Sequence, residues 1–432
     1  MTGISRRGFV QLSAAASLAA TGPALAAPYQ PLNPIEKGAK LQLLRWTGFI
    51  NTDDAVWKSN TEAFTRATGV PVQIQELTWT DVQPKSALAA EIGSGPDIIM
   101  GWYDDPFIYP EKLVDVSDVC EHLAKTEGGW YPVAKTYGYD ENLKHWIAVP
   151  IGAPGAAVVY RESWIKQAGF EAIPKDYDNF LKLCRALKKT GHPIGLALGH
   201  AVGDANTWCY SLLWGFGGKP VDAENKVAIN SKETHAALAY AKALYETMIP
   251  GTSSWLDPSN NQSFLAGKIS LTINGISIWF VAKQQFPKIF ADTHNADLPI
   301  GPVGTPTVYN LFSQAFIFRY CRYPNAAKEY LRFMNESAQV APWVTAMTGY
   351  VTPALKGYAN LPIWTQSPDI TPYRDVLAGT HFDGWAGRPG KQAATALNNF
   401  IIVDMFADAC VNGTSPQAAA ATAEKRLKAI YG

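Results

Sequence analysis

Within residues 41–100 the chain switches repeatedly between two hydrophobic periodicities, and that switching limits the folds open to it. Leu41 to Trp46 is an apolar run of strand length, Thr47 to Thr52 a polar turn, and residues 53–68 carry a helical pattern closed by Gly69. Val70, Val72 and Ile74 alternate as a second strand, residues 82–92 repeat the helical spacing, and Asp97-Ile98-Ile99-Met100 reads as a third strand. Strands that alternate with helices predict a layered α/β fold on a parallel sheet. Ligands of such sheets bind beyond the strand carboxyl ends, which makes the loops at 46–52 and 101–105 the candidate site.

The pattern changes at Ile147 to Tyr160, where two apolar strands are joined through Pro150, Gly152, Pro154 and Gly155. This reads as a crossing between lobes. Helices are expected at 176–190 with Asp176 as N-cap, at 204–214, and at 231–249 from an N-cap at Ser231. A strand at 269–273 precedes the turn Asn274-Gly275, residues 312–318 form another apolar strand, and 325–337 a helix. The tail from Ala393 reads as two helices split by Asn412-Gly413-Thr414-Ser415-Pro416. At this length one core is less economical than two.

Residues 1–26 form a leader: Ser5-Arg6-Arg7-Gly8-Phe9-Val10, a mildly apolar middle, then Ala24-Leu25-Ala26. It is a twin-arginine export signal, expected to be cleaved after Ala26 or Ala27 and to deliver a soluble protein to the periplasm. Losing Arg6 and Arg7 lowers the 37 basic side chains to 35 against 37 acidic ones, a formal charge of about −2. That neutrality excludes a nucleic-acid partner. Five dispersed cysteines without a Cys-x-x-Cys pair imply neither a disulfide framework nor a metal cluster, although a Cys184–Cys209 bridge stays open. The compositional anomaly is aromatic: 14 Trp and 19 Tyr, several beside Gly or Asp in loops. Trp102-Tyr103-Asp104-Asp105 and Gly384-Trp385-Ala386-Gly387-Arg388 are the clearest cases.

The order of Thr68-Gly69-Val70-Pro71-Val72, Gly95-Pro96-Asp97-Ile98-Ile99, the Pro/Gly crossing near 150, and Phe264-Leu265-Ala266-Gly267-Lys268 before Thr272-Ile273-Asn274-Gly275 resembles family 1 extracellular solute-binding proteins. These are the maltose-binding-protein-like receptors of ABC importers. The resemblance covers residues 40–432 and implies a two-lobed periplasmic-binding-protein fold of type II, with a ligand cleft between lobes joined by three crossovers. It places the crossovers near 150–153, 312–316 and 356–361. Lobe one then holds 40–150 with 315–356, and lobe two 151–312 with 358–432. It further implies a carbohydrate ligand (sugar, oligosaccharide or polyol), permease subunits in the inner membrane as partners, a monomer, and no cofactor.

Aromatic rings pack on the C–H faces of a sugar while amides, carboxylates and Arg bind its hydroxyl edge. Carried onto this chain, the resemblance points to Trp46 and Thr47 in the loop that runs to Phe49, and to Trp102, Tyr103, Asp104 and Asp105 after the third strand. In lobe two it points to Asn206 and Trp208 flanking Thr207, to Asn274 and Trp279, and to Trp385 with Arg388, and at the cleft rim to Tyr350.

Two other classes compete. An exported carbohydrate-active enzyme would need carboxylates set apart across a glycosidic bond, which adjacent Asp104 and Asp105 do not offer. Neither a Gly-x-Ser-x-Gly elbow nor a His-Glu-x-x-His site occurs, and Gly215-Phe216-Gly217-Gly218-Lys219 lacks phosphate-loop spacing. The expectation is a binding protein and not an enzyme. A receptor for a non-sugar solute such as a sugar acid would use Arg388 as its clamp.

Overall fold

The computed structural model describes residues 29–432, and the leader lies outside them. The fold is that of residues 31–432. Its strands are β1 (Leu41–Trp46), β2 (Val72–Leu77), β3 (Ile98–Trp102), β4 (Tyr139–Asp140), β5 (His145–Trp146), β6 (Val149–Ala153), β7 (Ala157–Arg161), β8 (Leu271–Asn274), β9 (Thr293–Ala296), β10 (Ser313–Ile317) and β11 (Thr352–Pro353). Six of them form one sheet in the order β11-β6-β10-β3-β1-β2, and a second sheet runs β8-β7-β9.

The strand–helix alternation builds the first half of the large sheet. β1 pairs in parallel with β2, from Leu41 opposite Val72 to Trp46 opposite Leu77, and with β3 at Leu43 opposite Ile98. Leu43, Leu44, Ile98 and Ile99 are buried because helices cover both faces of such a sheet. The Asn51–Thr68 helix ends where Gly69 takes a left-handed φ of 76° and returns its N–H to the Thr65 carbonyl. Beyond β3 every pairing is antiparallel: β10 runs against β3 and β6, and β11 against β6. The expected parallel sheet therefore holds for β1 to β3 alone, because β10, which follows β9 of the other sheet without a helix between, enters antiparallel between β3 and β6.

The Pro/Gly stretch at 150–155 passes from one sheet to the other. β6 belongs to the large sheet, whereas β7, four residues on, pairs with β8 and β9. Gly152 makes this possible: its φ is +150°, and a Cβ there would collide with the Thr352 carbonyl.

Helices pack around the small sheet. Asp176 caps Tyr177–Lys189 by accepting from Asn179 N at 2.9 Å, and Ser231 caps Lys232–Tyr245 by accepting from Thr234 N at 3.2 Å. The Asp204–Gly215 helix is buried from Ala205 onward, which explains its apolar composition on every side. The tail holds three helices rather than two, Lys391–Asn398, Ile401–Cys410 and Pro416–Tyr431. The extra break falls at Phe400, whose φ of 51° no helix tolerates.

All five cysteines are buried and free, so the Cys184–Cys209 bridge does not form. Behind β1, the buried Arg45 binds Asp53 at 2.7 Å and Asp54 at 3.1 Å, and Trp343 Nε1 donates to Asp53 at 2.7 Å. Among the described residues no helix is long and apolar enough to cross a membrane.

Candidate ligand-binding cleft

Trp46 and Trp102 end β1 and β3, and Trp79 follows β2 by two residues, so three adjacent parallel strands deliver three indoles to one place. Trp46 stacks on Trp79 with centroids 4.7 Å apart, Trp102 lies 4.8 Å from Trp79, and Phe49 stacks on Trp79 at 5.7 Å. This aromatic wall borders two chambers that meet at Trp79.

The first chamber is partly open to solvent. It is lined by Phe49, Trp79 and Tyr350 together with Asp204, Thr207, Asn261, Asn274 and Ser277, and by residues 154–156. The Asp257 carboxylate accepts from the N–H groups of Val202 at 3.0 Å, Gly203 at 2.9 Å and Asp204 at 2.8 Å, so it is consumed in capping the Asp204–Gly215 helix. Burial raises the Asp257 pKa against those three bonds. Burial and the neighbouring Asp257 charge hold Asp204 well above the carboxylate range. Asn274 Nδ2 donates to Asn261 Oδ1, and Asn261 Nδ2 donates to Ser277 Oγ at 3.0 Å, which fixes a polar row in the lining.

The second chamber is lined by Gln83, Trp102, Tyr103, His200, Asn206, Asn398 and Phe400 around Trp79. Tyr103 holds a left-handed φ of 54° and donates its hydroxyl across the cleft to the Val202 carbonyl at 3.1 Å. Asn206 Nδ2 donates to the same carbonyl at 3.0 Å, leaving its buried Oδ1 unpartnered. Gln83 is steadied by the Asp105 carboxylate at 2.6 Å, whose pKa burial lifts to about 7. His200 stacks flat on Phe400 at 4.4 Å, with Nε2 2.8 Å from Asp404 Oδ1.

Of the residues singled out from sequence, Trp102, Tyr103, Asn206, Asn274 and Tyr350 line a chamber. Trp46 backs Trp79 and Asp105 backs Gln83. The others are placed elsewhere, each for a local reason. Thr47 is exposed and only its N–H is used, bonding the Leu77 carbonyl. Asp104 is buried behind the second chamber. Trp208 follows the cleft-facing Thr207 by one helical position, about 100° round, and packs on Phe406 while its Nε1 donates to the Ala197 carbonyl. Trp279, two positions past Ser277, packs on Phe290 at 5.0 Å. Trp385 stacks on His381 at 4.3 Å and meets Trp214 edge-on, and Arg388 is exposed, its N–H bonded to Asn225 Oδ1.

Residues 61–372 match the family of bacterial extracellular solute-binding proteins. The chain belongs to this family. A curated relative, YcjN of Escherichia coli (strain K12), itself provisionally named an ABC transporter periplasmic-binding protein, is 23% identical over 285 residues, which span 64% of this chain and 64% of YcjN. Among solved structures, maltose-bound MalE3 of T. maritima superposes with a TM-score of 0.77 at 19% identity, over 90% of this chain and 99% of that one. A Thermotoga lettingae ABC transporter solute-binding protein bound with α-D-tagatose gives 0.78 at 17%, over 91% and 100%. At these identities the likeness concerns the fold.

For this solute-binding protein, sequence reasoning missed Trp79, Gln83, His200, Phe400, Asp204 and Asp257. Trp79 had a readable signal, an indole just past the second of three parallel strands as at the first and third. Asp204 and Asp257 had none, since only the tertiary fold joins them. Among the described residues no group of His, Cys, Asp and Glu is arranged to hold a metal ion.

Proposed function

We propose that this solute-binding protein is the periplasmic receptor of an ABC importer, that it captures a neutral carbohydrate by closing two lobes, and that it hands the sugar to a membrane permease. The observation that carries the reading is that one chamber joins the aromatic rings of Phe49, Trp79 and Tyr350 with the polar side chains of Asp204, Asn261, Asn274 and Ser277. A sugar ring has an apolar face for the former and hydroxyls for the latter. The maltose and tagatose bound by proteins of the same fold agree with that chemistry. Among the described residues neither chamber is lined by Lys or Arg, and Arg388 stands outside, which favours a neutral sugar over a sugar acid.

Lobe one comprises residues 40–150 with a second segment that begins at 315, and lobe two 151–312 with the tail beyond the third crossover. The third crossover is best placed a little later than 356–361: Tyr358 still donates to the Asn335 carbonyl and Trp364 to the Tyr358 carbonyl, whereas Asp369 accepts from Asn295 N on β9. Closure is a population shift, in which a sugar touching both lobes stabilises contacts such as Tyr103 to Val202. The twin-arginine leader exports the folded, monomeric protein. No catalytic step is assigned.

A thermal-shift screen of neutral mono-, di- and oligosaccharides, polyols and sugar acids, with product analysis, tests the reading. At least one neutral saccharide should raise the melting temperature and be recovered intact. A response to sugar acids alone, or hydrolysis, would overturn it.

A further inference from the structure

Five non-glycine residues among those described hold a left-handed backbone: Tyr103, Lys144, Asn225, Thr348 and Phe400, with φ between 51° and 61°. Lys144 and Asn225 close tight turns, where that conformation is ordinary: Lys144 N bonds the Asp140 carbonyl, and Asn225 N the Asp222 carbonyl. Thr348 stands two residues before Tyr350 of the first chamber. Tyr103 and Phe400 are bulky aromatics, for which a positive φ is strained. One follows β3 and the other precedes the Ile401–Cys410 helix, and both line the second chamber.

The turn at 400 had a less strained solution. Asn398 and Asn399, of a residue type that takes the left-handed conformation readily, stand directly before it, yet that conformation falls on the phenylalanine. The Phe400 ring is half-buried, so it is not placed there to fill the core. A brace holds it at the chamber. His200 stacks flat on it at 4.4 Å, and His200 Nε2 lies 2.8 Å from Asp404 Oδ1. Arg426 donates to Asp404 Oδ2 at 2.6 Å and to the Asn399 carbonyl at 2.8 Å. Strain sustained in this way clusters at binding positions.

The rest of the lining indicates what binds. It contains no Asp, Glu, Lys or Arg, and Gln83, Asn206 and Asn398 supply neutral amides. Two lining residues keep a buried polar atom without a partner in the protein: Asn206 Oδ1, an acceptor, and Trp79 Nε1, a donor. A hydroxyl both donates and accepts, and the C–H face of a sugar packs on aromatic rings, so a neutral saccharide unit suits this lining.

We propose that the second chamber binds a further unit of the saccharide whose first unit occupies the Asp204 chamber, and that Phe400 is the specificity-determining residue that favours ligands of two or more units. Trp79, which borders both chambers, lies where the two units join. The preference for length rests on the cleft reading above; the strain at Phe400 does not.

Native mass spectrometry of the full chain with glucose, galactose, mannose and xylose, and with the α- and β-linked disaccharides of each, first finds the sugars that bind. Calorimetry then compares each bound disaccharide with its monosaccharide. In the wild type the disaccharide should bind roughly tenfold tighter or more. Phe400→Gly removes the ring and accepts the left-handed φ, and it should lower that ratio roughly tenfold, whereas Phe400→Tyr keeps the ring and should keep the ratio. Without any ligand, Phe400→Gly should melt no lower than Phe400→Ala, and a lower melting temperature would overturn the strain. Equal affinity for the two sugars in the wild type, or a ratio that Phe400→Gly leaves unchanged, would overturn the second site alone. A ratio lost in Phe400→Tyr as fully as in Phe400→Gly would overturn the role of the ring. Binding to none of these sugars would overturn the cleft reading and the second site with it.

Discussion

Replacing Trp79 with Ala removes the one side chain that borders both chambers. Trp46, Trp102 and Phe49 surround the indole at 4.7, 4.8 and 5.7 Å, and the half-buried ring keeps surface toward the chambers. A sugar stacked there is worth about 1 to 3 kcal/mol, so Kd should rise roughly 5- to 150-fold. The same truncation loses the contacts to Trp46, Trp102 and Phe49, costing about 1 to 3 kcal/mol of stability. No protein hydrogen bond is broken, because the indole N–H has no partner. Titration calorimetry with the best neutral sugar, on protein judged folded by circular dichroism, measures the binding term. Trp279→Phe, in the packing of the second lobe, is the control and should bind within about threefold of wild type. A folded Trp79→Ala protein that binds as tightly as wild type would refute the assignment of the aromatic wall.

Tyr103→Phe deletes the hydroxyl that reaches the Val202 carbonyl, a net loss of about 0.5 to 1.5 kcal/mol, so calorimetry should show affinity weakened roughly 2- to 12-fold; no change would mean that closure does not use that bond. Arg45→Met strands the buried Asp53 and should lower the unfolding free energy by about 3 to 5 kcal/mol in urea titrations, and a loss below about 1 kcal/mol would show that Trp343 alone satisfies that carboxylate. Gly152→Ala forces a Cβ into the Thr352 carbonyl and should cost stability or register between β6 and β11, seen as a lowered melting temperature; a melting temperature equal to wild type would contradict the close approach.

Local signals in the sequence were read where physics is local. Gly69 ends its helix, Asp176 and Ser231 cap theirs, and the Pro/Gly stretch at 150–155 passes between sheets, because each feature depends on a few adjacent residues. The antiparallel insertion of β10 between β3 and β6 depends on pairing over more than 150 residues, which no local pattern records. The break at Phe400 was hidden for a related reason: no Gly or Pro marks it, and only packing imposes its left-handed φ. In the cleft, strand-end aromatics were legible because a strand end has one direction to face. Trp208 and Trp279 were not, since one or two helical positions turn a side chain from cleft to core.

A crystal structure with the best neutral saccharide bound tests the central claim most directly. The sugar ring should lie on Trp79, with its hydroxyls bonded to Asp204 and to the Asn261–Asn274 row. A saccharide bound outside the two chambers, or one held in them without touching Trp79, would contradict the account.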